Sequence, residues 1–501
     1  MTQAAADRFL IAPAMPERPS DHNIWSGLHG SSQALAICEA AQTHAGLTLI
    51  ITTSTDEAIR LEQALRFFLG LPPDDDLAAT ASQGLELLSL PDWETLPYDM
   101  FSPHQDIISR RIRTLHRLPR TQRGLPVVPA RTLLHRLAPP SFLQGNTLLL
   151  EIGQTLDIAT WRHQLESAGY RHAENVYEHG EYAVRGAILD IFPMGATLPY
   201  RIDLFDNEIE TLRTFDPESQ RSIDRIERIE LLPANEFPWH KEARSAFRNR
   251  WFEHFPRADK DAPIYRDVSQ GITPPGIEYY LPLFFDDTAT LFDYLPAQTR
   301  VFTSAGLEDA IDHAREEAEL RYEDRRHDLM RPILEPRLLF MAKEECFGQI
   351  KQFPRVTVHA DPVGAGARET TCDTQPLPAI AIDGKASDPA RRLKSFVSDF
   401  GGRILLCVES AGRREALIDN LTEFGVRPTP TESWKAFVAS DTPLAITVAP
   451  LEAGLQMNAH RIALITETEL YGERVLQQRR REKPTELNDA GYRDLSGFFF
   501  F

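Results

Sequence analysis

The chain is 501 residues long, 42% hydrophobic and 25% charged, more than one hydrophobic core organises, and this predicts a soluble protein of two to four domains. No apolar run approaches the ~18 residues of a membrane span, and Met1 to Ile11 lacks the basic stretch, apolar core and cleavage site of a secretory signal, so a cytoplasmic location is expected. The net charge of -19 disfavours a surface built mainly for phosphate backbones, whose affinity comes from Lys and Arg, and favours a protein partner.

In chain order, the first feature is the loop Gly27-Leu28-His29-Gly30-Ser31-Ser32-Gln33-Ala34. It falls in the frame of the phosphate loop G-x-x-x-x-G-K-[ST], where a Gly admits close backbone approach, a Lys holds the β and γ phosphates and a hydroxyl binds magnesium. Ser32, Gln33 and Ala34 occupy those three places, so the chemistry does not survive. Taken alone, Gly27 and Gly30 mark an ordinary turn before a helix.

Leu47 to Thr52 reads as a buried strand, and Thr53 to Phe68 as a helix with Ala58, Leu61, Leu65 and Phe68 on one side. A second cycle runs from the strand Leu85 to Leu90 to a helix from about Gln105 to Leu118. A third begins with Val127 and Val128 before a helix near Ala130. Strands alternating with helices predict a parallel α/β sheet.

Near Leu148 the pattern changes. After an amphipathic helix, Asp157 to Ala168, the pieces Ala187 to Phe192, Tyr200 to Phe205 and Glu208 to Phe215, with a turn at Asp206-Asn207, predict an antiparallel meander in a small α+β insertion. Past Leu232 the chain returns to the α/β body, with a helix near Ala243 to Phe255 and short strands at Leu281 to Phe285 and Arg300 to Thr303. A charged helix, Leu307 to Arg326, leads to a proline-rich linker, Met330 to Arg337, and Asp361 to Pro389 reads as loop. Ile404 to Val408, a helix Arg413 to Phe424, Leu444 to Val448 and Ile462 to Thr466 make a smaller α/β domain. Arg479 to Lys483 is a solvated basic cluster, and the Phe498 to Phe501 ending reads as a truncated or frame-shifted tail.

No catalytic or metal constellation can be assembled. Cys38, Cys346, Cys372 and Cys407 lie far apart without C-x-x-C or His at ligand spacing. Asp92-Trp93-Glu94, His104 and Glu178-His179 have no base or nucleophile fixed beside them. In the meander, period-two alternation puts Arg201, Asp203 and Phe205 on one side of their strand and Ile202 and Leu204 on the other. An arginine and an aromatic on one face suit a protein interface, against the plainer reading of a solvated arginine and a packed phenylalanine.

The runs Asp92-Trp93-Glu94-Thr95-Leu96-Pro97-Tyr98-Asp99, Phe101-Ser102-Pro103-His104, Glu178-His179-Gly180-Glu181-Tyr182-Ala183-Val184-Arg185-Gly186, Asp190-Ile191-Phe192-Pro193 and Gly276-Ile277-Glu278-Tyr279-Tyr280 closely resemble the bacterial transcription-repair coupling factors. Ile465-Thr466-Glu467 and Gly472-Glu473-Arg474-Val475 extend the resemblance, which covers about residues 20 to 495. Residues from about 20 to 330 also look like the first domains of the excision-repair helicase UvrB.

The resemblance implies a multidomain α/β fold. A degenerate helicase-like parallel-sheet domain (1–147 and 234–335) would carry an inserted α+β meander domain (148–233). Linker and loop (336–389), a small α/β domain (390–470) and a charged linker helix with its tail (471–501) would follow. In that family the inserted domain binds UvrA, the damage-recognition protein of nucleotide excision repair, and the matching positions are Arg185, Arg201 and Phe205.

Departures from the pattern matter equally. The phosphate loop has no Lys, and Tyr98 to Ile107 is too short for the long hairpin with which UvrB holds damaged DNA. The chain stops after Arg493-Asp494-Leu495-Ser496, where the polymerase-binding domain should begin. RNA polymerase, double-stranded DNA, ATP and magnesium are therefore expected to engage the other half of such a protein. The expectation is a non-enzymatic docking module that recruits UvrA to stalled polymerase. The rivals are a DNA-dependent ATPase or helicase using Gly27 to Ala34, and a half that masks the UvrA surface.

Overall fold

A computed structural model describes residues 9–472 apart from 12, 73–79, 82–83 and 260. The charged linker helix, basic cluster and phenylalanine tail expected beyond Gly472 lie outside the described residues.

The body is an eight-stranded sheet in the order Glu369–Thr371, His22–Ser26, Arg355–Val358, Arg300–Ser304, Thr48–Thr52, Gly124–Pro129, Leu85–Ser89, Thr80–Ala81. All neighbours pair in parallel except the last two. The central Thr48–Thr52 strand is buried along its whole length, as a parallel strand covered on both faces must be. The following helix, Thr55–Leu69, starts where the Ser54 side chain accepts the Glu57 N–H and stops at Gly70 with φ 72°, an N-cap and a left-handed C-terminal residue that together fix its length.

Three sequence expectations change. Leu281 to Phe285 is not a strand; it ends a 3-10 helix, Ile277–Phe284, that contains Pro282. Tyr280 and Phe284 there pack on Phe247 and Trp251, and burial on every side left no period to read. Met330 to Arg337 is anchored, with Leu334 buried and Tyr280 Oη donating to the Pro332 carbonyl at 2.9 Å. The stretch read as loop supplies Glu369–Thr371 to the body and Thr374–Gln375 to the third sheet.

The insert is a six-stranded sheet ordered Ser222–Ile226, Glu208–Phe215, Tyr200–Phe205, Ile188–Ile191, Glu181–Arg185, Arg171–His172. It is antiparallel except at its last pair. Leu148–Glu151 and Arg228–Leu231 pair antiparallel where the chain leaves and rejoins the body.

The third sheet, ordered Thr374–Gln375, Leu455–Met457, Ile462–Thr466, Arg403–Val408, Leu444–Val448, Thr429–Pro430, stands against the body. Trp434 meets Phe68 edge-on at 5.3 Å, and Leu405, Cys407, Ala445 and Leu464 share one core with the body helices. This contact brings the third domain onto the loop at Gly27.

Candidate functional site: the meander face and the filled loop

The insert's exposed face is organised around one carboxylate. Asp190 lies in the otherwise apolar strand Ile188–Ile191 and is 1% exposed. Directly across the ladder stands Arg201, whose Nε reaches Asp190 Oδ1 at 2.8 Å and Nη2 reaches Oδ2 at 2.9 Å. Its remaining nitrogen, Nη1, donates to the Gln220 carbonyl at 3.2 Å, and the guanidinium carbon lies 4.7 Å from the Phe215 ring. Arg185, from the strand on the other side, also donates to Asp190, and to Asn175 Oδ1 at 3.0 Å. Arg185 is half exposed and Arg201 is mostly covered. Both arginines, expected from the resemblance to face the partner, are thus tied to a carboxylate of their own domain. The hydrogen bond to Asp190 raises the Arg201 pKa further, so its charge is permanent.

Phe205 ends the same strand and is 67% exposed. Asp206 and Asn207 follow with φ of 46° and 67°, the paired left-handed residues that a two-residue hairpin of primed type requires and that Asp and Asn tolerate. One extra residue in the partner strand, Glu210, is absorbed as a bulge between the Asp203–Thr211 and Leu204–Ile209 pairs. The alternation of Tyr200–Phe205 is therefore unbroken, with Ile202 and Leu204 buried. Arg185 and Arg201 come together on Asp190, whereas Phe205 stands apart at the hairpin end. Sequence reasoning passed over Asp190, Asn175, Phe215 and Gln220. The available signal was Asp190 itself, since a lone acid in an apolar strand needs a buried cation.

The second predicted site is bonded to neighbouring parts of the chain. Gly27 and Gly30 have φ of 67° and 54°, and Ser32 opens the helix Ser32–Thr43. Thr374 sits within the loop: its hydroxyl accepts the His29 N–H at 3.0 Å, donates to the Gly27 carbonyl at 2.6 Å and lies 3.1 Å from Ser32 Oγ. Ser31 Oγ donates to the Ala453 carbonyl at 2.5 Å. A Cβ on Gly30 would stand 1.8 Å from the Gly454 oxygen. Gly30, Ser31, Gln33 and Ala34 line an adjoining cleft of about 420 Å³, where Arg60 is paired with Glu452 at 2.9 Å. These residues do not fit a nucleotide phosphate and magnesium, because a side-chain hydroxyl from Thr374 and backbone from the third domain take the space.

Among the described residues no three His, Cys, Asp or Glu side chains are placed to hold a metal, and no helix is long and apolar enough to cross a membrane.

Fold and sites together define a multidomain α/β protein in which a parallel-sheet body carries an antiparallel interaction domain and is capped by a further α/β domain. Residues 148–237 match the family described as the UvrB interaction domain, and residues 396–470 match the D3 domain of MFD. The chain is 40% identical to the transcription-repair-coupling factor of Haemophilus influenzae over 490 residues, 97% of this chain and 41% of that protein. It is 39% identical to the one from Escherichia coli over 483 residues, 96% of this chain and 41% of the relative. The factor of Bacillus subtilis is 24% identical over 434 residues, 82% of this chain and 36% of the relative. The chain belongs to the transcription-repair-coupling factor family and corresponds to its N-terminal region. It spans about two fifths of the length of these relatives.

Proposed function

We propose that this chain is the docking half of a transcription-coupled repair protein and that its meander face recruits UvrA to RNA polymerase stalled at a lesion. The observation that carries the reading is the exposed Phe205 at the hairpin end of a sheet whose two arginines are ordered on the buried Asp190. An interface anchor works best when its geometry is fixed before the partner arrives, because less freedom is then lost on binding. Phe205 would be the apolar anchor. Arg185, the more exposed arginine, would meet acidic groups of the partner, and Arg201 would hold Asp190 in place and complete the platform.

In the intact protein, displacement of polymerase by an ATP-driven DNA translocase would be the work of residues outside this chain. The filled loop at Gly27, Gly30, Ser32, Gln33 and Ala34 supports a body that has kept the frame of a nucleotide-binding domain without the binding.

The test is titration of the chain with purified UvrA, in parallel with Phe205→Ala. Saturable binding that the substitution weakens by at least ~2 kcal/mol, the scale of an interface hot spot, supports the reading. Equal affinity of the two proteins would remove Phe205 from the interface, and no binding by the wild type would remove the function from this chain.

A further inference from the structure

The two arginines ordered on Asp190 hold a further segment in place. Ala183, Asp190, Arg201 and Arg213 are partners across successive strands of the insert, so they share one face of its sheet with Phe192 and Phe215, each two positions along. Onto that face folds the segment between the strands Arg171–His172 and Glu181–Arg185. Val176, at its middle, is fully buried in a small core with Ala183, Phe192 and Phe215. The segment is fastened at three successive residues. Asn175 Oδ1 accepts a hydrogen bond from Arg185 at 3.0 Å, the Val176 carbonyl accepts one from Gln220 Nε2 at 3.0 Å, and the Tyr177 N–H donates to Glu181 Oε2 at 2.9 Å. Gln220 is in turn joined to Asp190 through Arg201, which donates to the Gln220 carbonyl. The Tyr177 ring is left outside this packing: it is 52% exposed, and its side chain makes no hydrogen bond or ring contact among the described residues.

We propose that Tyr177 is a second aromatic contact for the protein partner, positioned by Gln220 and Arg185. The inference rests on the recruitment reading and adds a residue which that reading does not use. A tyrosine suits the task, since its ring covers a large area with few rotatable bonds and its hydroxyl can meet a polar group. Fixing residues 175–177 in advance lowers the freedom lost on binding, and this is the work of Gln220. The mostly covered Arg201 then acts on the partner through Gln220 and the Val176 carbonyl, without touching it. The surface that fits is an apolar recess with a polar group at its floor, close to the acidic group that meets Arg185.

The experiment is titration of the whole chain with purified UvrA, comparing the wild type with Tyr177→Ala, Tyr177→Phe, Gln220→Ala, the Tyr177→Ala, Gln220→Ala double variant and Phe205→Ala. Thermal melts by circular dichroism verify that each variant is folded. Tyr177→Ala should weaken binding about tenfold or more, the scale of an interface hot spot, with Tyr177→Phe falling between. Gln220→Ala should weaken it about threefold or more when Tyr177 is present and leave it unchanged when Tyr177 is absent, the non-additivity of a residue that acts through another. An equal loss in both backgrounds overturns the positioning role of Gln220. Wild-type affinity in Tyr177→Ala, with Phe205→Ala weakened, overturns this inference and leaves the recruitment reading standing. No binding by the wild type overturns both.

Discussion

Arg201 and Asp190 face each other across neighbouring strands and share two hydrogen bonds of 2.8 and 2.9 Å, with the carboxylate almost wholly removed from water. Such a pair contributes more to specificity of arrangement than to net stability, yet losing one partner strands the other in a poorly solvated place. Asp190→Asn leaves Arg185 and Arg201 crowded against a neutral amide. It should destabilise the chain by about 3 kcal/mol and abolish UvrA capture together. Urea denaturation at neutral pH measures the first effect, and a loss below ~1 kcal/mol would show that the arginines find other partners.

Phe205→Ala should behave in the opposite way. The ring is 67% exposed, so its removal changes stability by no more than ~0.5 kcal/mol, while affinity for UvrA falls by at least ~2 kcal/mol. A thermal melt beside each titration separates the two classes. A lowered melting temperature in Phe205→Ala would mean that the ring supports the hairpin rather than a partner.

These contrasting substitutions mark where the sequence was readable. The strand Tyr200–Phe205 announced itself because Ile202 and Leu204 alternate with polar neighbours, and Asp206-Asn207 has the chemistry of its turn. What alternation cannot supply is the partner across the ladder: it gives a side chain's face, not whether a neighbour covers it. Arg201 was therefore expected in solvent and is instead held between Asp190 and Phe215. The strands His22–Ser26 and Arg355–Val358 pair with each other although more than 300 residues separate them. Such pairing leaves no local signature, and Glu369–Thr371 is too short and polar to stand out. Ile277–Phe284 failed for another reason, since a segment apolar on every side has no period.

The loop from Gly27 to Ala34 offers a test by restoration. If missing side chains alone prevented nucleotide binding, Ser32→Gly, Gln33→Lys and Ala34→Ser together should restore it. The Thr374 hydroxyl inside the loop and the contact of Ser31 with Ala453 predict that it does not, and equilibrium binding of a fluorescent ATP analogue should stay unsaturated to millimolar concentration. Micromolar affinity in that variant would show that the third domain yields readily. The converse change, Gly30→Ala, puts a Cβ against the Gly454 oxygen at a φ of +54°. It should cost about 2–3 kcal/mol of stability, seen as a lowered calorimetric transition.

Glu278 links the body's signature segments to the pH dependence of the whole. Its side chain is buried and accepts a hydrogen bond from Ser102 Oγ at 2.9 Å, while Ser102 accepts the Gly276 N–H at 3.0 Å. Burial, with the nearby Glu236 adding to it, pushes the Glu278 carboxyl up to about 7 from an ordinary value of 4.5. Between those two values the folded chain holds a proton that the unfolded chain has released. Stability contributed by this group is therefore complete at low pH, falls as pH rises from about 4.5 to about 7, and is level above. The Glu278→Gln variant keeps the shape without the ionisation and should remove that slope. Its advantage over the wild type should grow by on the order of 2–3 kcal/mol between pH 5 and pH 8. Comparing urea midpoints of the two proteins across this range cancels every other titrating group; parallel profiles would mean that water reaches the carboxyl, and that the chain around Ser102 and Gly276 opens far more readily than its packing implies.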